Sequence, residues 1–195
     1  MANARAGWWN ALVDRWVRAK SRGLDNAALL PRKLLHTTLI AAVWPILHLQ
    51  RPIVAAVLLG SCLAVILTQR RVPYASLALL TLLAFARILA VGGAWAVFTA
   101  GDGLSAIVGR ALGGPTLPWN PRKTWTGSLT FLVAAGAALS VVLRLAQSPL
   151  GWERILSLAF SASLAGAIVE SLDVRLDDNY SVIVIAGLVL QALTA

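Results

Sequence analysis

The sequence predicts an all-α protein: a polytopic membrane bundle of about seven transmembrane helices, preceded by an amphipathic helix lying in the membrane interface. Three observations predict it. Hydrophobic residues make up 58% of the 195 residues and charged residues only 13%, against about 25% charged in a soluble domain. Apolar stretches near the length of a span, about 20 residues, recur along the whole chain. Prolines and charges fall between those stretches, the punctuation expected between spans. The mean hydropathy is +0.76. A soluble domain of this size could not bury so much apolar surface, so lipid must be the solvent for most of it.

The elements follow in order. Residues 1–30 place Trp8, Trp9, Leu12, Val13, Trp16 and Val17 on one helical stripe, with Arg5, Asp14, Arg15, Arg18 and Lys20 mostly opposite. A basic helix with a tryptophan face lies in the interface, so 1–30 is read as an amphipathic segment and 31–195 as the transmembrane domain. Apolar segments then run over roughly 34–50, 52–69, 73–91, 91–110, 127–147, 152–171 and 180–195. The least marked boundary is between the third and fourth, near Gly92-Gly93. With the N-terminus inside, 13 basic residues fall on the inner side and only Arg51, Arg87, Arg144 and Arg154 on the outer side. The positive-inside rule therefore favours a cytoplasmic N-terminus and an outer C-terminus, in what reads as a prokaryotic cytoplasmic membrane. No internal repeat is present, which counts against an inverted-repeat transporter.

The net charge of +9 belongs to cytoplasmic loops facing an anionic leaflet rather than to a nucleic-acid surface. The single cysteine, Cys62, excludes a disulfide framework and a cysteine metal site, and reads as a packed small side chain.

Three polar clusters converge on the inner side. The first, Gly101-Asp102-Gly103-Leu104-Ser105 through Gly109-Arg110 to Gly113, puts Asp102, Ser105, Ala106, Gly109 and Gly113 on one helical face. An unpaired carboxylate in a span costs roughly 2.5 kcal/mol or more, so Asp102 needs a partner or a metal. The glycines suit either helix packing or close approach of phosphates. The second, Pro118 to Ser128, supplies Arg122, Lys123, Thr124, Thr126, Gly127 and Ser128 at a helix start, where backbone N–H groups favour anions. The third supplies Glu170, Asp173, Asp177, Asp178 and Asn179, hard oxygen donors that suit Mg²⁺. A further group, Arg32, Lys33 and His36, lies at the inner end of the first span. Cations, carboxylates and glycines on one membrane face form a metal–nucleotide site in outline, because phosphoryl transfer needs chiefly positioning and charge.

These motifs, in this order, resemble the CTP-dependent polyprenol kinases: dolichol kinase, phytol kinase and the yeast-type diacylglycerol kinase. The resemblance covers about residues 32–195: Arg-Lys-x-x-His, then Gly-Asp-Gly-x-Ser-Ala-x-x-Gly-Arg-x-x-Gly, then Lys-Thr-x-x-Gly-Ser, then Glu-Ser and Asp-Asp-Asn. It implies transfer of the CTP γ-phosphate to a lipid alcohol with Mg²⁺. Asp102, Lys123 and Asp178 would be catalytic. Gly103, Ser105, Gly109, Arg110, Arg122, Lys123, Thr124, Gly127, Ser128 and Asn179 would hold the nucleotide. Asp102, Asp177 and Asp178 would hold the metal, with Arg32, Lys33, His36 and Glu170 in supporting places. Thr126 departs from the pattern, where the family usually carries a glutamate whose role would pass to Glu170. The implied partners are the membrane, a lipid alcohol and a nucleoside triphosphate, with no nucleic acid and with homo-oligomerisation left open. The related CDP-diacylglycerol synthases share the middle pattern but end in a different signature, which makes a cytidylyltransferase the first alternative. A non-catalytic transporter or scaffold is the second.

Overall fold

The computed structural model describes residues 38–69, 74–146, 150–172 and 177–195. The interfacial helix expected over 1–30 and the group Arg32, Lys33 and His36 lie outside the described residues, as does Asp173.

A 3-10 turn over Leu39–Ala42 leads into α1 (Val43–His48). There follow α2 (Arg51–Gln69), α3 (Tyr74–Phe85) and α4 (Ile88–Leu112). A hairpin, β1 (Thr116–Leu117) and β2 (Asn120–Thr124), comes next. The chain ends with α5 (Trp125–Leu145), α6 (Trp152–Ser171) and α7 (Asp178–Thr194). Helix α4 is the centre of the bundle and packs on α1, α3, α5, α6 and α7.

Three helices, α4, α5 and α6, are long and apolar enough to cross a membrane. The other apolar stretches, Leu39–His48, Arg51–Ala64, Tyr74–Ala84 and Asp178–Thr194, are shorter. Helix α3, with 12 residues, rises only about 18 Å against a hydrocarbon core of about 30 Å. The chain is thus mostly helical, as expected of an all-α membrane protein, with three helices of spanning length among the described residues; seven spans are not shown.

Helix α6 shows what its surroundings must be. Ile155, Leu158, Ala159 and Ala162 are buried, while Leu156, Phe160, Leu164 and Ile168 form an i, i+4 row that is 36% to 57% exposed. Val57, Leu63 and Leu67 on α2 and Leu129, Val133 and Val141 on α5 continue that exposed apolar surface. In water so large a patch would be a liability; in hydrocarbon it is the ordinary outer face of a bundle.

Two expectations are corrected. The boundary placed near Gly92-Gly93 falls instead at Ala86–Arg87, where Arg87 is extended and starts α4. The two glycines lie inside α4 because neighbours press on them. A Cβ at Gly92 would come within 2.8 Å of the Leu47 side chain, and one at Gly93 within 2.7 Å of Leu190. The bundle is also not purely helical, since 110–126 holds the hairpin. Gly113 and Gly114 end α4 at φ +64° and +128°, a region that glycine adopts without a Cβ penalty. Pro118 then sits at the corner between strands registered Thr116 to Thr124 and Leu117 to Asn120, its fixed φ suited to a turn. Pro121 survives in β2 because a two-stranded ribbon consists of edges only.

At the end opposite the hairpin, arginines meet helix C-termini. Arg51 Nη2 donates to Ala86 O at 2.7 Å. Arg87 and Arg154 donate to the Thr194 and Leu193 carbonyls. Arg144 lies 5.8 Å from the centre of the Trp152 ring. Cys62 is buried and free, as a packed side chain.

The core turns on Phe131 of α5, which is fully buried. Its ring touches where a Cβ would stand at both Gly101 of α4 and Gly166 of α6, at 2.7 Å and 3.2 Å. One ring therefore sets the spacing of the three full-length spans. Phe131→Ala is expected to destabilise the bundle by about 3–5 kcal/mol, read as a lowered thermal midpoint in detergent. A midpoint equal to wild type would refute that role.

Candidate active site

Among the described residues, the polar side chains singled out in sequence gather at the hairpin end of the bundle, and Lys123 is their hub. Strand β2 delivers its side chain to two carboxylates. The ammonium pairs closely with Glu170 Oε1 at the C-terminal end of α6, and lies 3.3 Å from Asp178 Oδ2 at the start of α7. Three separate elements are thus joined through one cation. Asp102 of α4 is within electrostatic reach of Glu170, as is Asp178. Burial alone would draw the Lys123 ammonium down. The carboxylates, Glu170 first and Asp178 second, outweigh it and hold the group above the usual lysine value. Lys123 is therefore a cation throughout the neutral range.

The hairpin is pinned so that Lys123 stays there. Asn120 is buried, and its Nδ2 donates to Ser171 O at 3.1 Å while its Oδ1 accepts from the Arg122 backbone N–H at 3.1 Å. Trp119 Nε1 donates to Ser171 Oγ at 3.3 Å. The Trp125 N–H donates to Pro115 O, closing the hairpin's base. Sequence reasoning assigned Asn120 no role. The available signal was an amide between two prolines, where a side-chain hydrogen bond to nearby backbone is common.

Several motif residues have visible structural roles. Thr124 is the N-cap of α5, accepting from the Gly127 N–H at 3.1 Å. Asp177 caps α7, accepting from the Asn179 N–H at 2.9 Å. Gly109 and Gly127 face each other, and a Cβ on Gly109 would stand 3.2 Å from Gly127 Cα. These glycines let α4 and α5 touch at the site. Ser105 Oγ donates to Asp102 O within α4, and Gly103 is buried beside it. Arg110 and Arg122 are exposed at this end.

Among the described residues, two buried side-chain polar atoms have no hydrogen-bond partner, Ser128 Oγ and Glu170 Oε2. Both lie at the hairpin end. A buried polar atom left unmatched costs about 1–3 kcal/mol, so two at one end mark a place built for something other than packing. No three histidine, cysteine or carboxylate side chains cluster as a metal site among the described residues.

Comparison with known proteins gives this end a context. Phytol kinase 1 of Arabidopsis thaliana chloroplasts is 38% identical over 94 residues, 45% of this chain and 31% of that protein. A probable chloroplastic phytol kinase 2 of Glycine max is 33% identical over 150 residues, 73% of this chain and 51% of that protein. The chain is homologous to the phytol kinases. A probable phytol kinase of Zea mays matches likewise, 38% identical over 93 residues. These names agree with the family resemblance read from the sequence. The chain spans from about a third to about half the length of these phytol kinases. No family model and no solved structure matches it.

Lys123→Met would leave Glu170 buried without a cation, and is expected to cost about 3–5 kcal/mol. Adding Glu170→Gln should recover most of that loss. Thermal unfolding of the single and double variants in detergent checks this, and strictly additive losses would refute the pairing. Asn120→Ala should cost about 1–3 kcal/mol and speed amide exchange across residues 116–124.

Proposed function

We propose that this protein is an integral membrane lipid kinase that transfers the γ-phosphoryl group of CTP to the hydroxyl of a polyprenol, phytol or diacylglycerol. The products are a lipid monophosphate and CDP. The observation that carries the reading is Lys123, held between Glu170 and Asp178 at the end of the bundle where Asp102 and two unmatched buried polar atoms also lie. The names of its relatives, phytol kinases, support the same chemistry, and the choice of CTP follows from the family resemblance.

Phosphoryl transfer leaves little covalent work to the protein; catalysis lies in positioning and in offsetting charge. Lys123 supplies a fixed cation for the phosphates, and the exposed Arg110 and Arg122 add charge beside it. Ser128 Oγ is available to donate to a phosphate oxygen. The glycine contact between Gly109 and Gly127 keeps the approach to the α5 N-terminus low, where backbone N–H groups favour an anion.

Mg²⁺ takes one or two protein carboxylates and completes its shell with phosphate oxygens and water. Asp102 and Asp178 are hard donors of that type at one end and would hold it. Asp177 caps α7 with one oxygen and has its other oxygen to add. When bound, the ion would neutralise charge that develops on the transferred phosphoryl group. The lipid tail needs only apolar surface, which the exposed faces of α5 and α6 supply. With the N-terminus inside, the site faces the cytoplasm and the C-terminus lies outside, in a prokaryotic cytoplasmic membrane; the matched plant proteins are chloroplastic by name.

The test is an assay in detergent with CTP radiolabelled on the γ-phosphate, Mg²⁺, and a panel of polyprenol, phytol and diacylglycerol. Label is expected in at least one lipid, and Asp102→Ala should abolish it. Pyrophosphate and a CDP-lipid in place of label would shift the reading to a cytidylyltransferase. Full turnover by Asp102→Ala would remove Asp102 from the site.

A further inference from the structure

We infer that Glu170 is the general base of the transfer: its free oxygen, Oε2, takes the proton of the attacking alcohol. The inference rests on the kinase reading above and assigns a residue which that reading leaves without a step.

Glu170 is 5% exposed, and its two oxygens have different circumstances. Oε1 is held by the Lys123 ammonium. Oε2 is buried and accepts nothing. A carboxylate fixed through one oxygen, with the other waiting for a donor, is what a base must be before its substrate arrives. The missing donor is a hydroxyl in an acceptor alcohol. The other carboxylates at this end are differently disposed. Asp177 spends an oxygen as the α7 cap. Asp178 is nearly half exposed on its side chain, so water competes for it. Asp102 and Asp178 are the metal donors of the kinase reading.

Burial also suits a base. Access of water to a base beside a bound triphosphate would promote hydrolysis in place of transfer. Glu170 lies in the last turn of α6, on the buried face that also holds Gly166, Ala167 and Ser171, so bulk water has little access to it. The step balances simply. The alcohol oxygen bonds to the γ-phosphorus as the bond from that phosphorus to the β,γ-bridging oxygen breaks. The hydroxyl proton passes to Oε2, CDP leaves with the bridging electrons, and the proton is lost to water when product departs.

The test compares wild type with Glu170→Gln, which keeps shape and the Oε1 contact but cannot take the proton. Equilibrium CTP binding, read as a thermal shift with Mg²⁺, is expected to stay at wild type while kcat falls about 10²- to 10⁴-fold. For whichever panel alcohol is labelled, an analogue fluorinated beside its carbinol carbon has a more acidic hydroxyl and should narrow the gap between variant and wild type. A residue that only positions Lys123 would weaken CTP binding and leave the fluorine effect equal in both proteins, and that result would overturn the assignment. So would wild-type kcat in Glu170→Gln. If that variant does not fold, Glu170→Asp is read in its place, with kcat lowered and CTP binding kept. Failure of wild type itself to label any lipid overturns the kinase reading instead.

Discussion

A carboxylate at the end of an apolar helix cannot stand alone, and the rest of the site depends on how Glu170 is answered. Removing a charge from water costs several kcal/mol, and Glu170 is among the most deeply buried polar residues described. Its counter-charge comes from Lys123, 47 positions away in sequence. Delivering a lysine to that point requires an element leaving the α4 end and returning across the bundle to α6. The hairpin is that element. Asn120 and Trp119 lock it to Ser171, the residue after Glu170, so carboxylate and clamp sit side by side. The start of α7 joins through Asp178. Hairpin, α6 and α7 are therefore one electrostatic unit, with Asp102 of α4 within its reach.

The membrane class and most of the helices were legible because they rest on composition and on runs of about 20 apolar residues, which a one-dimensional reading detects well. Three of the four motifs were likewise legible as neighbours on one side, and the structure draws Asp102, Lys123, Glu170 and Asp178 to the same end; the first, with Arg32, Lys33 and His36, lies outside the described residues. What was not legible depended on partners distant in sequence. Gly92-Gly93 has the look of a break in sequence, and only the packing of Leu47 and Leu190 against it explains why the helix runs through. The strands are two and five residues long and interrupted by prolines, too short for any alternation to register. The pairing of Lys123 with Glu170 is a tertiary contact, and neither residue's neighbours announce it.

The motif residues also show how one side chain can satisfy folding and chemistry together. Thr124 ends β2 and begins α5 by capping it. Gly109 and Gly127 permit contact between two helices. These are packing roles in themselves. They also bring the α5 N-terminus and Ser128 against the polar face of α4. A helix start placed in this way favours anions whichever residue caps it. Structural and ligand-directed readings of such a motif are therefore compatible. The atoms that separate them, Ser128 Oγ and Glu170 Oε2, are those that make no hydrogen bond within the fold.

The arginines at the far end bear on the electric potential around the molecule. Helix C-termini carry about half a negative charge each, and Arg51, Arg87 and Arg154 are bonded to the last carbonyls of α3 and α7. They act as counterions to backbone dipoles and contribute less to the far-end field than a formal count assigns them. Arg110 and Arg122, at the hairpin end, are exposed to solvent. The hairpin end also carries Asp102, Glu170, Asp177 and Asp178 beside Lys123, so charges of both signs are interleaved there, while the cations of the far end are the ones that answer backbone dipoles.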